Sequence, residues 1–100
     1  MKNYLYKFEL ITGLYEAEFF QQINAEDEKD AIVQLVGYFK GLDGEETLEF
    51  LNGELGENWT IEKFWKRIDT RFFNRDETEG YNLIWIKEIG FDLDTVGKYI

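Results

Sequence analysis

The sequence predicts an α+β domain: an antiparallel sheet made of an N-terminal and a C-terminal hairpin, with one or two acidic helices packed on one face. Three observations predict it. Residues 4–23 alternate side chains with the period of two that a half-buried strand needs. Residues 27–40 switch to helical spacing. Residues 70–89 return to strand-type aromatic and β-branched residues around a polar loop. At 100 residues the chain makes one domain, 1–100.

In the first hairpin, Tyr4, Tyr6, Phe8 and Leu10 share one face with Tyr15, Ala17, Phe19 and Ile23. A short turn at Thr12-Gly13 predicts Leu10 opposite Tyr15, Phe8 opposite Ala17 and Tyr6 opposite Phe19. It also pairs Lys7 with Glu18 and sets Glu9 against Glu16. Threonine tolerates a left-handed turn position poorly, which favours a slightly longer loop. Tyr6, Phe8, Tyr15 and Phe19 are expected in the core.

The helix over 27–40 opens on Asp27 as N-cap, with Asp30 three residues on and acids at the positive end of the helix dipole. Ala31, Ile32, Leu35, Phe39 and Leu42 form its apolar stripe, and Gly41 closes it. Gly37 either weakens the helix or lets a neighbour approach closely. A second helix over 45–52 turns Leu48, Leu51 and Phe50 inward and stops at Asn52-Gly53. Residues 59–69 satisfy both a helical stripe capped by Thr60 and a strand composition, so both states stay open. Thr70–Arg75 and Leu83–Ile89 form the second hairpin across the loop Asp76–Tyr81. The tail Phe91–Ile100 is expected to pack over a sheet edge.

Composition removes most chemistry. The chain has no histidine, cysteine or serine, so triads built on them and the common zinc sites are excluded. No phosphate-binding glycine motif is present. Asp27-Glu28-Lys29-Asp30 and Asp92-Leu93-Asp94 offer oxygen ligands without the spacing of a calcium loop; a helix cap and a solvated turn account for them. Neither an enzyme activity, nor a cofactor, nor a metal is expected. No apolar run approaches a membrane span, no cleavable leader precedes the first strand, and the absence of cysteine suits a reducing cytoplasm.

Charge is more informative than any motif. The net charge of −10 is uneven. Residues 25–58 hold ten acids against two bases: Glu26, Asp27, Glu28, Asp30, Asp43, Glu45, Glu46, Glu49, Glu54 and Glu57 against Lys29 and Lys40. Such a run either keeps a helix face solvated or engages a basic groove, imitating a phosphate backbone. Residues 59–76 reverse the sign, with five bases interleaved among aromatics at Lys63, Phe64, Trp65, Lys66, Arg67, Arg71, Phe72, Phe73 and Arg75. That pattern can bind single strands, although Phe64, Trp65 and Phe72 also read as core.

The opening ββα order, with the run Ile23–Ile32 and the later pair Trp59 and Ile61, resembles small uncharacterised proteins of phages and conjugative elements. The likeness spans roughly residues 1–65 and brings no catalytic residues. It implies a mobile-element origin, where DNA-mimic inhibitors of restriction and CRISPR enzymes are common. The expected function is therefore non-catalytic binding of a protein partner with a basic surface through the acidic helices. The alternative is an interaction module, for instance a homodimer, using Leu5, Ile11, Leu14 and Phe20 on the other face of the first hairpin. A third class is a single-stranded nucleic-acid binder using residues 63–75, against which the overall charge argues.

Overall fold

The fold comes from a computed structural model that describes residues 1–12, 16–73 and 77–91. It is the expected α+β arrangement. The order is β1 (Lys2–Thr12), β2 (Glu16–Ala25), α1 (Glu28–Lys40), α2 (Gly44–Leu55), α3 (Ile61–Arg67), β3 (Arg71–Phe73) and β4 (Glu79–Ile89). The four strands run antiparallel in the order β2-β1-β4-β3, so the two hairpins meet along β1 and β4. The helices cover one face. Among the described residues no helix is long and apolar enough to cross a membrane.

The register of the first hairpin differs from expectation by two residues. Phe8 faces Phe19, Leu10 faces Ala17 and Tyr6 faces Gln21. A shift of two keeps every side chain on its face, so the alternation could not reveal it. Tyr6 donates its hydroxyl to Gln21 Oε1 at 2.9 Å. Glu9 lies against Glu18 instead of Glu16, and Lys7 reaches Glu18 diagonally at 3.1 Å, which relieves the like-charge pair. Tyr4, Tyr6 and Phe8 are buried, but Phe19 is 40% exposed at the sheet edge and stacks on Phe8. Tyr15 and Leu14 lie outside the described residues, as do Arg75, Asp76 and the tail from Asp92.

Strand β4 starts at Glu79, earlier than expected, and carries a bulge. Lys7 pairs with Trp85 while Phe8 pairs with Leu83, leaving Ile84 as the extra residue. Leu83 and Ile86 are three apart and would face opposite ways in a regular strand. The bulge turns both into the core, where both are buried.

Helix α1 forms as its signals dictate. Asp27 Oδ1 accepts the Asp30 amide at 2.7 Å, and Asp30 Oδ2 accepts the Glu26 amide at 2.9 Å. Gly41, at φ 71°, ends it in the left-handed conformation. Helix α2 outruns its expected stop and ends at Gly56. Its buried face is Thr47, Leu51 and Leu55, spaced by four, while Leu48 is 45% exposed and Phe50 is half-buried. Thr47 enters the core because its hydroxyl donates to the Asp43 carbonyl at 2.7 Å. The open segment 59–69 resolves as helix α3, with Thr60 Oγ1 accepting the Lys63 amide.

Gly37 explains how α1 and α2 come so close. A Cβ there would sit 2.7 Å from Thr47 Oγ1 and 3.0 Å from the Leu42 carbonyl oxygen. Gly53, on the exposed side of α2, has open space around its Cβ direction. Gly37→Ala is therefore expected to lower the unfolding midpoint despite alanine's better helix propensity. Gly53→Ala should raise stability by about 0.5–1 kcal/mol. Chemical denaturation of the two variants checks the contrast.

Burial also raises the phenol pKa of Tyr4, Tyr6 and Tyr81 above the ordinary value of 10.0. The native state then holds protons that the unfolded chain releases. The contribution of these phenols to stability is fully present below pH about 10 and is lost as pH rises through the raised values. Tyr4→Phe should flatten that alkaline decline, read as the denaturation midpoint against pH.

Candidate partner-binding surfaces

Packing α1 against α2 leaves a groove on the outer side of the pair. Its main part, about 590 Å³, has Val33, Tyr38, Leu42 and Leu48 as apolar lining and Asp30, Asp43 and Glu45 as acids. A hollow of about 280 Å³ shares Asp30, Val33 and Leu48 with it and runs on to Glu57 and Trp59. The apolar lining is available: Tyr38 is 73% exposed. Lys29 also lines the hollow, and its ammonium lies 4.3 Å from the centroid of the buried Trp59 ring.

The ten expected acids fall into separate places. Asp27, Asp30 and Asp43 cap helices, with Asp43 Oδ1 accepting the Glu46 amide at 2.8 Å. Asp30, Asp43, Glu45 and Glu57 line the groove and its extension. Glu46 and Glu49 are exposed on α2; at 100° per residue they project away from its buried face. Glu54 lines a different hollow on the far flank of α2, beside Lys40, Arg67 and Arg71. Glu26 and Glu28 sit at the start of α1. Among the described residues no cluster of acids is arranged to hold a metal ion, and Asp27-Glu28-Lys29-Asp30 is the helix cap.

The sheet face away from the helices is the second surface. Lys7 lies directly between Phe20 of β2 and Trp85 of β4. The Phe20 and Trp85 centroids are 5.8 Å apart, and Lys87 Nζ stands 4.7 Å from the Trp85 ring. Leu5 and Ile11 are half-buried on this face and Phe20 is 56% exposed. Trp85 joins them because β4 pairs with β1, a pairing that local patterning does not specify.

The basic segment is mostly framework. Phe64 and Phe72 are buried and Trp65 is half-buried, so their rings belong to the core or its margin. Lys66 pairs with Glu62 at 2.8 Å, and Arg71 with Asp69 at 3.4 Å. The Arg71 amide donates to the Asp69 carboxylate, holding that group below the usual carboxylate range.

Sequence reasoning missed the groove lining. Val33 and Tyr38 fall off the apolar stripe of α1, and Leu48 was expected inside. The placement is testable through stability. Leu51→Ala, in the core, should cost about 2–5 kcal/mol, whereas Leu48→Ala should cost under about 1 kcal/mol. Urea unfolding of both variants measures the difference. No family model, no curated protein and no solved structure matches the chain.

Proposed function

We propose that this protein acts without catalysis, by binding a partner protein that presents a basic surface. The observation that carries the reading is the α1–α2 groove: exposed Tyr38 and Leu48 beside Val33, flanked by Asp30, Asp43, Glu45 and Glu57. An apolar centre with a charged rim is the anatomy of a protein interface, and exposed aromatics are frequent anchors. The rim would steer a cationic partner and set its register. The concrete form we favour is an inhibitor that occupies the basic cleft of a nucleic-acid-binding nuclease. A second reading, association through the sheet face, rests on the exposure of Phe20 beside Trp85.

Charge reversals separate the groove from a diffuse acidic surface. In affinity capture at about 50 mM and about 500 mM salt, a basic partner should bind at the lower salt and be lost at the higher. Glu45→Arg with Glu57→Arg, at the rim, should weaken capture about tenfold or more. Glu46→Arg with Glu49→Arg, on the outer side of α2, should have a smaller effect. Equal losses from both pairs would indicate an extended phosphate-like surface instead. Indifference to both would overturn the acidic reading.

A further inference from the structure

The α1–α2 groove is walled by helices. Its apolar lining is Val33 and Tyr38 on α1, Leu42 in the link between the helices, and Leu48 on α2. The amide and carbonyl groups of a helix interior are bonded within the helix itself. Such walls meet a partner with side chains and offer its backbone little to bond with. An extended segment laid in the groove would strip water from its own peptide groups and gain few bonds in return. A helix brings its backbone bonds with it.

We propose that the groove receives one basic amphipathic helix of the partner protein, an inference that rests on the reading of this groove as the site for a basic partner. The size of the groove fits a short helix. Asp30 and Tyr38 are two turns apart on α1, roughly 12 Å at 1.5 Å per residue. The lining runs past them to Glu57 at one end and Glu45 at the other. An occupant on the order of three turns, about 11 residues, fills that length. Val33 and Leu48 line both parts of the groove, so they meet the middle of the occupant. Its apolar residues then fall at i, i+3 or i+4, and i+7.

Charge gives the occupant a direction. At the Trp59 end, Lys29 offsets part of the charge of Asp30 and Glu57. At the Tyr38 end, Asp43 and Glu45 line the groove and no base lines it among the described residues. The basic residues of the occupant therefore gather at the Tyr38 end. Asp43 already accepts the Glu46 amide at 2.8 Å on one oxygen, which makes Glu45 the main partner for them. Tyr38 stands at the same end, 73% exposed. A guanidinium can lie on its ring and still pair with a carboxylate, so arginine suits this end better than lysine.

The probe is a labelled synthetic peptide of about 14 residues, with leucines at i, i+3, i+4 and i+7, arginines flanking them and alanines elsewhere. Two controls accompany it. A diastereomer with two central D-leucines keeps composition and charge but cannot form a regular right-handed helix. A third peptide carries glutamate in place of arginine. In fluorescence anisotropy at about 50 mM salt, the all-L arginine peptide should bind saturably, about tenfold or more tighter than either control. Leu48→Arg should weaken it about tenfold or more, and Tyr38→Ala about threefold, with the far-UV spectrum of each variant unchanged. Glu46→Arg with Glu49→Arg should change it less. The helix is overturned if the arginine peptide does not bind saturably, if its diastereomer binds as tightly, or if Leu48→Arg has no effect. Equal binding of the two arginine peptides, lost on Glu45→Arg with Glu57→Arg, would sink the helix and leave the basic partner standing. Equal binding of the glutamate peptide would sink both.

Discussion

Helix α1 is seated on the sheet through the ring of Phe39. That ring lies 5.6 Å from Phe8 and 6.4 Å from Tyr6 on β1, 6.1 Å from Phe72 on β3, and 4.9 Å from Tyr81 on β4. One side chain thus touches three of the four strands. A fully buried aromatic of about 150–250 Å² contributes at most roughly 4–6 kcal/mol at 25 cal per Å². That is comparable with the whole margin of a small domain, about 5–15 kcal/mol. The remaining helices follow from this seating. Gly37 brings Thr47 against α1, which sets α2, and α2 with Trp59 forms the wall that Phe64 of α3 completes. The outer groove is the space this close approach leaves.

How much of this was legible depended on how local each signal is. Helix α1 was readable because Asp27, the Ala31–Phe39 stripe and Gly41 state its start, face and end within fifteen residues of chain. The class of fold was readable because period two and helical spacing alternate along the sequence. The hairpin register was not, since a slip of two residues leaves every face unchanged. Thr47 was missed as core because it is polar; its hydroxyl finds the Asp43 carbonyl inside the same turn, so burial costs little. Leu48 lies one residue from this stripe and faces the groove instead. The Ile84 bulge and the β1–β4 pairing arise from contacts between distant segments. So does the groove, whose lining comes from two helices and becomes a surface only once they pack.

The structure also changes what the acidic middle of the chain means. Three of its ten carboxylates accept backbone amides at helix starts and would be retained for folding alone. Glu54 lies in a different hollow, lined also by Lys40, Arg67, Asp69 and Arg71. Glu45 and Glu57, by contrast, line the groove where Lys29 is the only base among the described residues, and that base is drawn toward Trp59. The part of the charge that the proposed interface would use is therefore a small number of carboxylates beside apolar side chains. A phosphate mimic needs carboxylates in a long row, whereas this groove sets a few of them beside exposed apolar side chains.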